Sequence, residues 1–385
     1  MDSEIIREMT DRKHRAHRNS VTQHFLKKLF GDGLVLSKGE KWAKVRKLAD
    51  HAFHGESLKN MVPAMIASAK AMVERWKDYK GKEIEVFEEF KVLTSEMISR
   101  TAFGSSYLQG KDIFEMLAKL TVIAFRNSFK IRLPGISKII RSSDDIESEK
   151  LERGIQGMIL QIVKKREEKV ERGEMEDFGS DFLGVLIKAH HDADKKKRIS
   201  LENLIDECKT FYSAGNETTT GLLSWTVLLL AIHEDWQEKA RKEMTMIINE
   251  SLRLYPPAIG TSRTTTREVR VGKLILPANI DVFIPIIAIH HDPKIWGPDA
   301  LLFRPERFSA GVAKATNGNL HAFLPFGQGP RICVGSSFAV TEAKVALSMI
   351  LQHYSFTLSP AYVHSPSVKV SIEPQHGIQV VLKAL

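Results

Sequence analysis

Over residues 1–255 the apolar positions recur every three or four residues, the spacing of helices that bury one face. This pattern predicts helices over 58–79, 86–102, 150–171 and 201–235. Polar, turn-prone stretches at 171–177 and 190–198 interrupt it and read as surface loops. After Pro256 the texture changes. Short β-prone pieces at 268–271, 274–276 and 281–287 are punctuated by Pro and Gly. A helix restarts at Ser336 and ends near Tyr354, and 368–372 and 377–382 read as strands. No internal repeat or low-complexity tract breaks the chain. The pattern describes a mainly α protein with small sheets, expected as one domain over 1–385.

Two places resist this pattern. The first is Ala214-Gly215-Asn216-Glu217-Thr218-Thr219-Thr220-Gly221, inside the 201–235 helix. Glycine costs about 1 kcal/mol against alanine in a helix interior, and each β-branched Thr costs some tenths. Such local weakness predicts a kink or bulge, held by Thr hydroxyls bonded to backbone carbonyls. Small residues leave space beside the backbone, and an acid next to an alcohol can organise a proton relay.

The second is Phe326-Gly327-Gln328-Gly329-Pro330-Arg331-Ile332-Cys333-Val334-Gly335, a glycine-rich loop that runs into the helix at Ser336. It holds one of only two cysteines. A thiolate there meets backbone N–H groups and the positive end of a helix dipole. Such a sulfur can serve as an axial ligand to haem iron. The spacing Phe-x-x-Gly-x-Arg-x-Cys-x-Gly fixes five positions, the cysteine among them. A chance match is on the order of 10⁻⁷ per starting position. Cys208 lies in an apolar helical stretch and reads as core.

Two further pairs have helical spacing. Glu250 and Arg253 stand three residues apart, just before Tyr255-Pro256-Pro257, with another arginine in Phe303-Arg304-Pro305-Glu306-Arg307-Phe308. Trp42 and Arg46 stand one turn apart and offer N–H donors suited to carboxylates. Composition adds little. Lys+Arg 56 against Asp+Glu 47 gives a net charge of +9, a mildly basic surface with no sign of nucleic-acid binding. Two cysteines cannot make a disulfide framework or a Cys-rich zinc site. The pairs His190-His191 and His290-His291 lack a second ligand pair at zinc spacing. No apolar run is long enough to span a bilayer, and the first residues have no signal-peptide character.

Taken together these motifs make the chain resemble a cytochrome P450, and 338–342, 355–363 and 374–377 look most like the plant clan that oxidises terpenoids and hormones. The resemblance implies the P450 fold, haem b (iron protoporphyrin IX) and insertion of one oxygen atom from O2 into an apolar small molecule. Electrons would come from NADPH through a flavoprotein reductase, whose acidic face suits Lys44, Arg46, Lys47 and Arg331. It also implies roles. Cys333 ligates iron within the loop shaped by Phe326 and Gly335. Trp42, Arg46, Arg331 and Arg263 meet the propionates. Ala214 and Gly215 make the dioxygen groove, Thr218 hydrogen-bonds to dioxygen, and Glu217 relays protons. Glu250, Arg253 and Arg307 form a buried structural network. Residues 108–138, with Phe114, Leu117, Ile123, Phe125 and Phe129, read as pocket-lining. Two pieces of the family pattern look missing: the membrane anchor with the first helix and strands, and a helix and loop at Met244-Thr245. Without them the fold is expected to be incomplete at its N-terminus, and the chain cytosolic or peripheral rather than anchored at the endoplasmic reticulum. An impaired, truncated isoform and a haem-thiolate isomerase or dehydratase are the alternative readings.

Overall fold

A computed structural model describes residues 23–127, 141–265, 267–271 and 273–385. The helices in chain order are α1 (Gln23–Phe30), α2 (Gly39–Phe53), α3 (Gly55–Arg75), α4 (Val86–Ala102), α5 (Tyr107–Arg126), α6 (Ser143–Glu171), α7 (Phe182–His190), α8 (Leu201–Ile232) and α9 (Asp235–Leu254). After them come short α10 (Ile286–His290), α11 (Pro293–Trp296) and α12 (Gly311–Ala315), then α13 (Ser336–His353). The strands are β1 (Glu83–Glu85), β2 (Thr261–Thr264), β3 (Val269–Val271), β4 (Leu274–Leu276), β5 (Asp281–Ile284), β6 (Tyr354–Leu358), β7 (Pro366–Val368), β8 (Ile372–Pro374) and β9 (Gln379–Ala384). The described residues form two compact units.

One unit takes in 65–93 and 217–385. Its largest sheet has the order β1-β9-β6, antiparallel throughout, with Ile84 opposite Val380 and Phe356 opposite Leu382. Two-stranded ribbons β2-β5, β3-β4 and β7-β8 complete the β structure. Trp76, Tyr354 and Phe90 pack together under the sheet, and the Tyr354 hydroxyl donates to Val73 O at 3.3 Å. Burying side chains of this size stabilises the unit by about 1.5–3 kcal/mol each.

The other unit takes in the described residues of 19–64 and 94–216. Phe53 stacks on Phe211 and both meet Phe182, which fastens α2, α7 and α8 to each other. α6 begins with a capping box: Ser142 Oγ accepts from Asp145 N–H, and Asp145 accepts from Ser142 N–H, satisfying two orphan donors. Arg166 spans Asp181, Phe103 O and Phe178 O, so a charge nearly excluded from water is fully compensated.

The helical pattern holds closely over 86–102, and the 150–171 helix starts earlier, at Ser143. The 201–235 helix ends at Ile232 and is not broken at Gly215: α8 continues through that stretch. Ser224 and Thr226 hydroxyls do bond back to the Thr220 and Leu222 carbonyls at 2.7 Å. The stretch 368–372 is not a strand. It is the turn of the β7-β8 hairpin, in which Val368 pairs with Ile372. The 281–287 strand stops at Ile284, because Pro285 removes a donor and starts α10. Across Met244-Thr245 the chain stays helical as α9, but Glu243 has φ −118° and ψ 33°. A single non-helical residue therefore re-aims the second half of the helix. Of the expected pocket segment, Leu117 and Ile123 are core, Phe125 is exposed, and Phe129 lies outside the described residues.

Candidate active site

The cysteine loop is built by short-range hydrogen bonds. Gly327 N–H donates to Leu324 O at 3.0 Å, Ile332 N–H to Gly329 O at 3.0 Å, and Cys333 N–H to Phe326 O at 2.9 Å. The last bond closes the loop at the cysteine. Gly327 and Gly329 have φ of 70° and 76°, a region that side-chain-bearing residues rarely occupy. A Cβ at Gly327 would meet no atom within 4 Å, so the space over the loop is open. Cys333 is an exposed cysteine outside any disulfide, whereas Cys208 is buried. α13 starts three residues after Cys333, and Ala339 N–H donates to Gly335 O at 2.8 Å. Phe326, Arg331 and Gly335 are half-buried around it.

A chain of contacts anchors this loop. Glu250 and Arg253 are fully buried and meet as a two-point pair, Nε to Oε2 at 2.7 Å and Nη2 to Oε1 at 2.8 Å. Arg304 N–H also donates to Glu250 Oε1 at 2.9 Å, and Arg307 Nε lies 3.4 Å from it. Arg307 continues to Trp296 O and to Asp299. Arg253 Nη1 donates to the carbonyls of His290 and Ala300, at 2.8 and 2.5 Å. The His290 ring then accepts from Leu324 N–H at Nε2, 2.9 Å away. That residue is two positions before Phe326. Burial, helped by the Arg253 charge, pushes His290 down to about 3, so the ring is neutral and its Nε2 lone pair is free to accept.

Sequence reasoning missed His290. It sits at the end of a five-residue helix, and only its partner's place in the fold reveals the contact. Glu342 was missed as well. It stands on α13, nine residues past Cys333, fully buried, and neither carboxyl oxygen has a hydrogen-bond partner among the described residues. Burial raises its carboxyl well above the ordinary range. An acid in the apolar run 338–347 was the available signal.

On α8, Ala214, Gly215, Glu217 and Thr218 are half-buried, while Tyr212, Ser213, Asn216, Thr219 and Thr220 are buried. The spacing i, i+3, i+4 puts Ala214, Glu217 and Thr218 on one face. That face is left partly open on an otherwise enclosed helix. Asn216 Nδ2 turns the other way, to Thr94 Oγ1 at 3.2 Å and to Ser95. A Cβ at Gly215 would strike Ile98 at 2.8 Å, which explains the glycine there by packing. Trp42 and Arg46 are half-buried on α2, and Arg46 Nε meets Asp50 Oδ1 at 3.0 Å. Arg263 is half-buried on β2, its Nη1 donating to Thr261 Oγ1 and Ser262 O.

Comparison with known proteins agrees with this arrangement. The family model "Cytochrome P450" matches residues 1–375. The chain is 57% identical to Cytochrome P450 CYP749A22 of Panax ginseng, covering 97% of this chain and 75% of that protein. It is 41% identical to 11-oxo-beta-amyrin 30-oxidase of Glycyrrhiza uralensis, covering 92% and 72%. The fold matches a crystal structure of the cytochrome P450DA heme domain with TM-score 0.86 at 24% identity, covering 100% of this chain and 87% of that one. The chain belongs to the cytochrome P450 family. It is a haem-thiolate monooxygenase whose cofactor is haem and whose co-substrate is O2, supplied with electrons by a redox partner.

The residues present fit that cofactor. An exposed thiol on a loop with open space above it is the kind of soft donor that suits haem iron, and the half-open strip on α8 carries small residues beside an acid and an alcohol. The ginseng alignment runs over 394 positions, more than the 385 residues of this chain. The relative therefore carries residues inside the matched range that this chain lacks. No helix among the described residues is long and apolar enough to cross a membrane.

Proposed function

We propose that Cys333 supplies the iron-ligating thiolate and that the chain hydroxylates an apolar, terpenoid-like small molecule. Overall, a C–H bond, O2, NADPH and a proton become C–OH, water and NADP⁺. The observation that carries this reading is the exposed thiol of a loop closed by its own Cys333 N–H and anchored through Leu324 to His290. Bound haem supplies dioxygen activation. The protein contributes the rest. The Phe326–Gly335 loop fixes the sulfur against rotation. Arg331, Arg263, Trp42 and Arg46 present donors to the two propionates. Thr218 Oγ1 holds a proton on the open face of α8, and the Glu217 carboxyl, one residue away, replenishes it from solvent. The small Ala214 leaves room on that face, and Gly215 lets the helix approach Ile98 beside it. Glu250, Arg253 and Arg307 hold the frame and touch no reactant.

The terpenoid class rests on the relative whose name is 11-oxo-beta-amyrin 30-oxidase. An NADPH-dependent flavoprotein reductase at the basic face around Lys44, Arg46 and Lys47 is the electron donor of this reading. The carbon monoxide difference spectrum of the reduced full chain tests it. A thiolate-type band is expected, lost in Cys333→Ser. A band that survives Cys333→Ser overturns the assignment. Product that requires both NADPH and reductase is the expected activity, whereas turnover of hydroperoxides without either favours an isomerase. A second reading, haem binding without turnover, is favoured by the residues missing inside the matched range. A normal band with no product from any apolar substrate supports it.

A further inference from the structure

Four rings outside the candidate site form a continuous series. Trp225 is fully buried on α8, seven residues past Thr218. Its ring lies flat on Tyr255, centroids 4.4 Å apart and planes 8° apart. Tyr255 ends α9 and meets His364 edge-on, with centroids 6.1 Å apart. His364 is exposed on the loop after β6, and its Nδ1 takes the Tyr362 hydroxyl at 2.8 Å. The Tyr255 hydroxyl is 3.5 Å from the other ring nitrogen. In the neutral tautomer with its proton on Nε2, Nδ1 accepts from Tyr362, and that is the tautomer the route below uses. The indole N–H is held by Ile372 O at 3.1 Å. The rings are thus pinned at both ends, on the helix and on the β7-β8 hairpin.

We propose that Trp225, Tyr255, His364 and Tyr362 form a one-electron escape route that carries an oxidising equivalent from α8 to the protein surface. Tyr362 gives an electron to oxidised Trp225 across the intervening Tyr255 and His364 rings, which bridge the transfer without being oxidised. The deficit ends on Tyr362. Its O–H bond breaks, the proton moves along the hydrogen bond to His364 Nδ1, and a neutral phenoxyl faces an imidazolium. His364 releases that proton to solvent, and a diffusible thiol returns a hydrogen atom to the phenoxyl.

The direction follows from where a proton can go. The buried indole proton is tied to a carbonyl, which cannot take it, so an oxidised Trp225 stays a cation in an apolar site, a costly state. Tyr362 has an imidazole in line with its O–H, a group suited to shuttling protons. Burial raises the phenols of Tyr255 and Tyr362 above their usual range, so both start protonated and need such an acceptor. A purely structural staple would be served equally well by any acceptor at position 364. In the cell the oxidant is the dioxygen chemistry of the monooxygenase. The role therefore rests on the reading above, while the pathway does not.

The test needs no haem. An ultraviolet flash on the full chain ejects an electron from indole rings to solvent, where dissolved nitrous oxide removes it. Transient absorption and freeze-trapped electron paramagnetic resonance then follow where the deficit goes. The expected result is a tryptophanyl signal decaying into a tyrosyl one. Tyr362→Phe removes most of the trapped tyrosyl signal, and Trp225→Phe removes the decay phase. His364→Ala, at an exposed position that does not threaten the fold, slows the transfer about a hundredfold. His364→Gln keeps a hydrogen-bond acceptor but not a base, and is expected to behave like Ala. A tyrosyl signal unchanged in Tyr362→Phe, or a rate unchanged in both His364 variants, overturns the proposal.

Discussion

Glu250 and Glu342 are both completely buried, yet their surroundings have nothing in common. The Arg253 guanidinium spans both oxygens of Glu250, which also accepts the backbone N–H of Arg304 and has Arg307 3.4 Å from Oε1. Glu342 has no hydrogen-bond partner on either oxygen among the described residues. The first is a charge held by countercharge. The second is an acid kept neutral by exclusion from water. The network around Glu250 builds the frame that leads to the cysteine loop. The site around Glu342, on the helix that leaves that loop, stores a proton instead. A buried acid is therefore a structural or a titrating element depending on what faces it, and the two kinds respond oppositely to mutation and to pH.

The largest effect is expected at the compensated acid. Glu250→Ala leaves Arg253 charged and buried, with the carbonyls of His290, Ala300 and Leu302 as its remaining partners. Urea unfolding should show a loss of about 3–5 kcal/mol, and the thiolate-type band should disappear with it. A loss under about 1 kcal/mol would mean that the pair contributes nothing to the frame.

Next comes His290, the link between that frame and the loop. Its folded value near 3 lies below the unfolded value near 6.5. From pH 6.5 downward the unfolded chain takes a proton that the fold refuses, so stability falls until about pH 3. The total is roughly 3–5 kcal/mol. His290→Gln keeps an acceptor near the Nε2 position and should remove this acid limb while keeping the fold at neutral pH. The check is stability against pH for both proteins. Parallel curves would contradict the role given to the ring.

Glu342→Gln should act in the reverse sense. The folded carboxyl titrates far above its unfolded value. Its contribution is fully present below about pH 4.5 and is lost as pH rises through the folded value. Wild type should therefore fall progressively behind the Gln variant as pH rises above that point. If the variant were less stable at pH 8, the neutral-acid picture would be wrong.

The contrast also explains what the chain's own text reveals. Cys333 with its glycines, the acid–alcohol pair of α8 and the Glu250–Arg253 spacing are local: each chemical group and its structural cue lie within ten residues. His290 and Glu342 carry no local cue of their partners. Leu324 is 34 residues from His290, and nothing beside Glu342 in the sequence announces that its carboxyl is fully buried. The same limit applies to the fold. Helices such as 86–102 repeat their own pattern, but β1 pairs with β9 nearly 300 positions away, and three-residue strands show no alternation to read. The stretch 368–372 reads as one strand because Val368, Val370 and Ile372 alternate with polar residues, although 369–371 form the turn between β7 and β8.

The smallest effect is expected where the text looked interrupted. The two halves of α9 are anchored independently. Gln237 exchanges hydrogen bonds with Phe356 and holds Leu230 O, and Arg241 holds Leu351 O. The second half is fixed by Glu250 and Arg253. Between them Lys242, Glu243 and Thr245 are exposed, and Glu243 already leaves helical geometry. The junction is therefore held only by helical hydrogen bonds through a residue that breaks them. Ten Gly/Ser residues inserted between Met244 and Thr245 should cost about 2 kcal/mol, the entropy of closing a loop of that length, with haem incorporation unchanged. A loss above about 4 kcal/mol would show that α9 acts as one rigid rod, and that the bend at Glu243 is part of what positions Glu250.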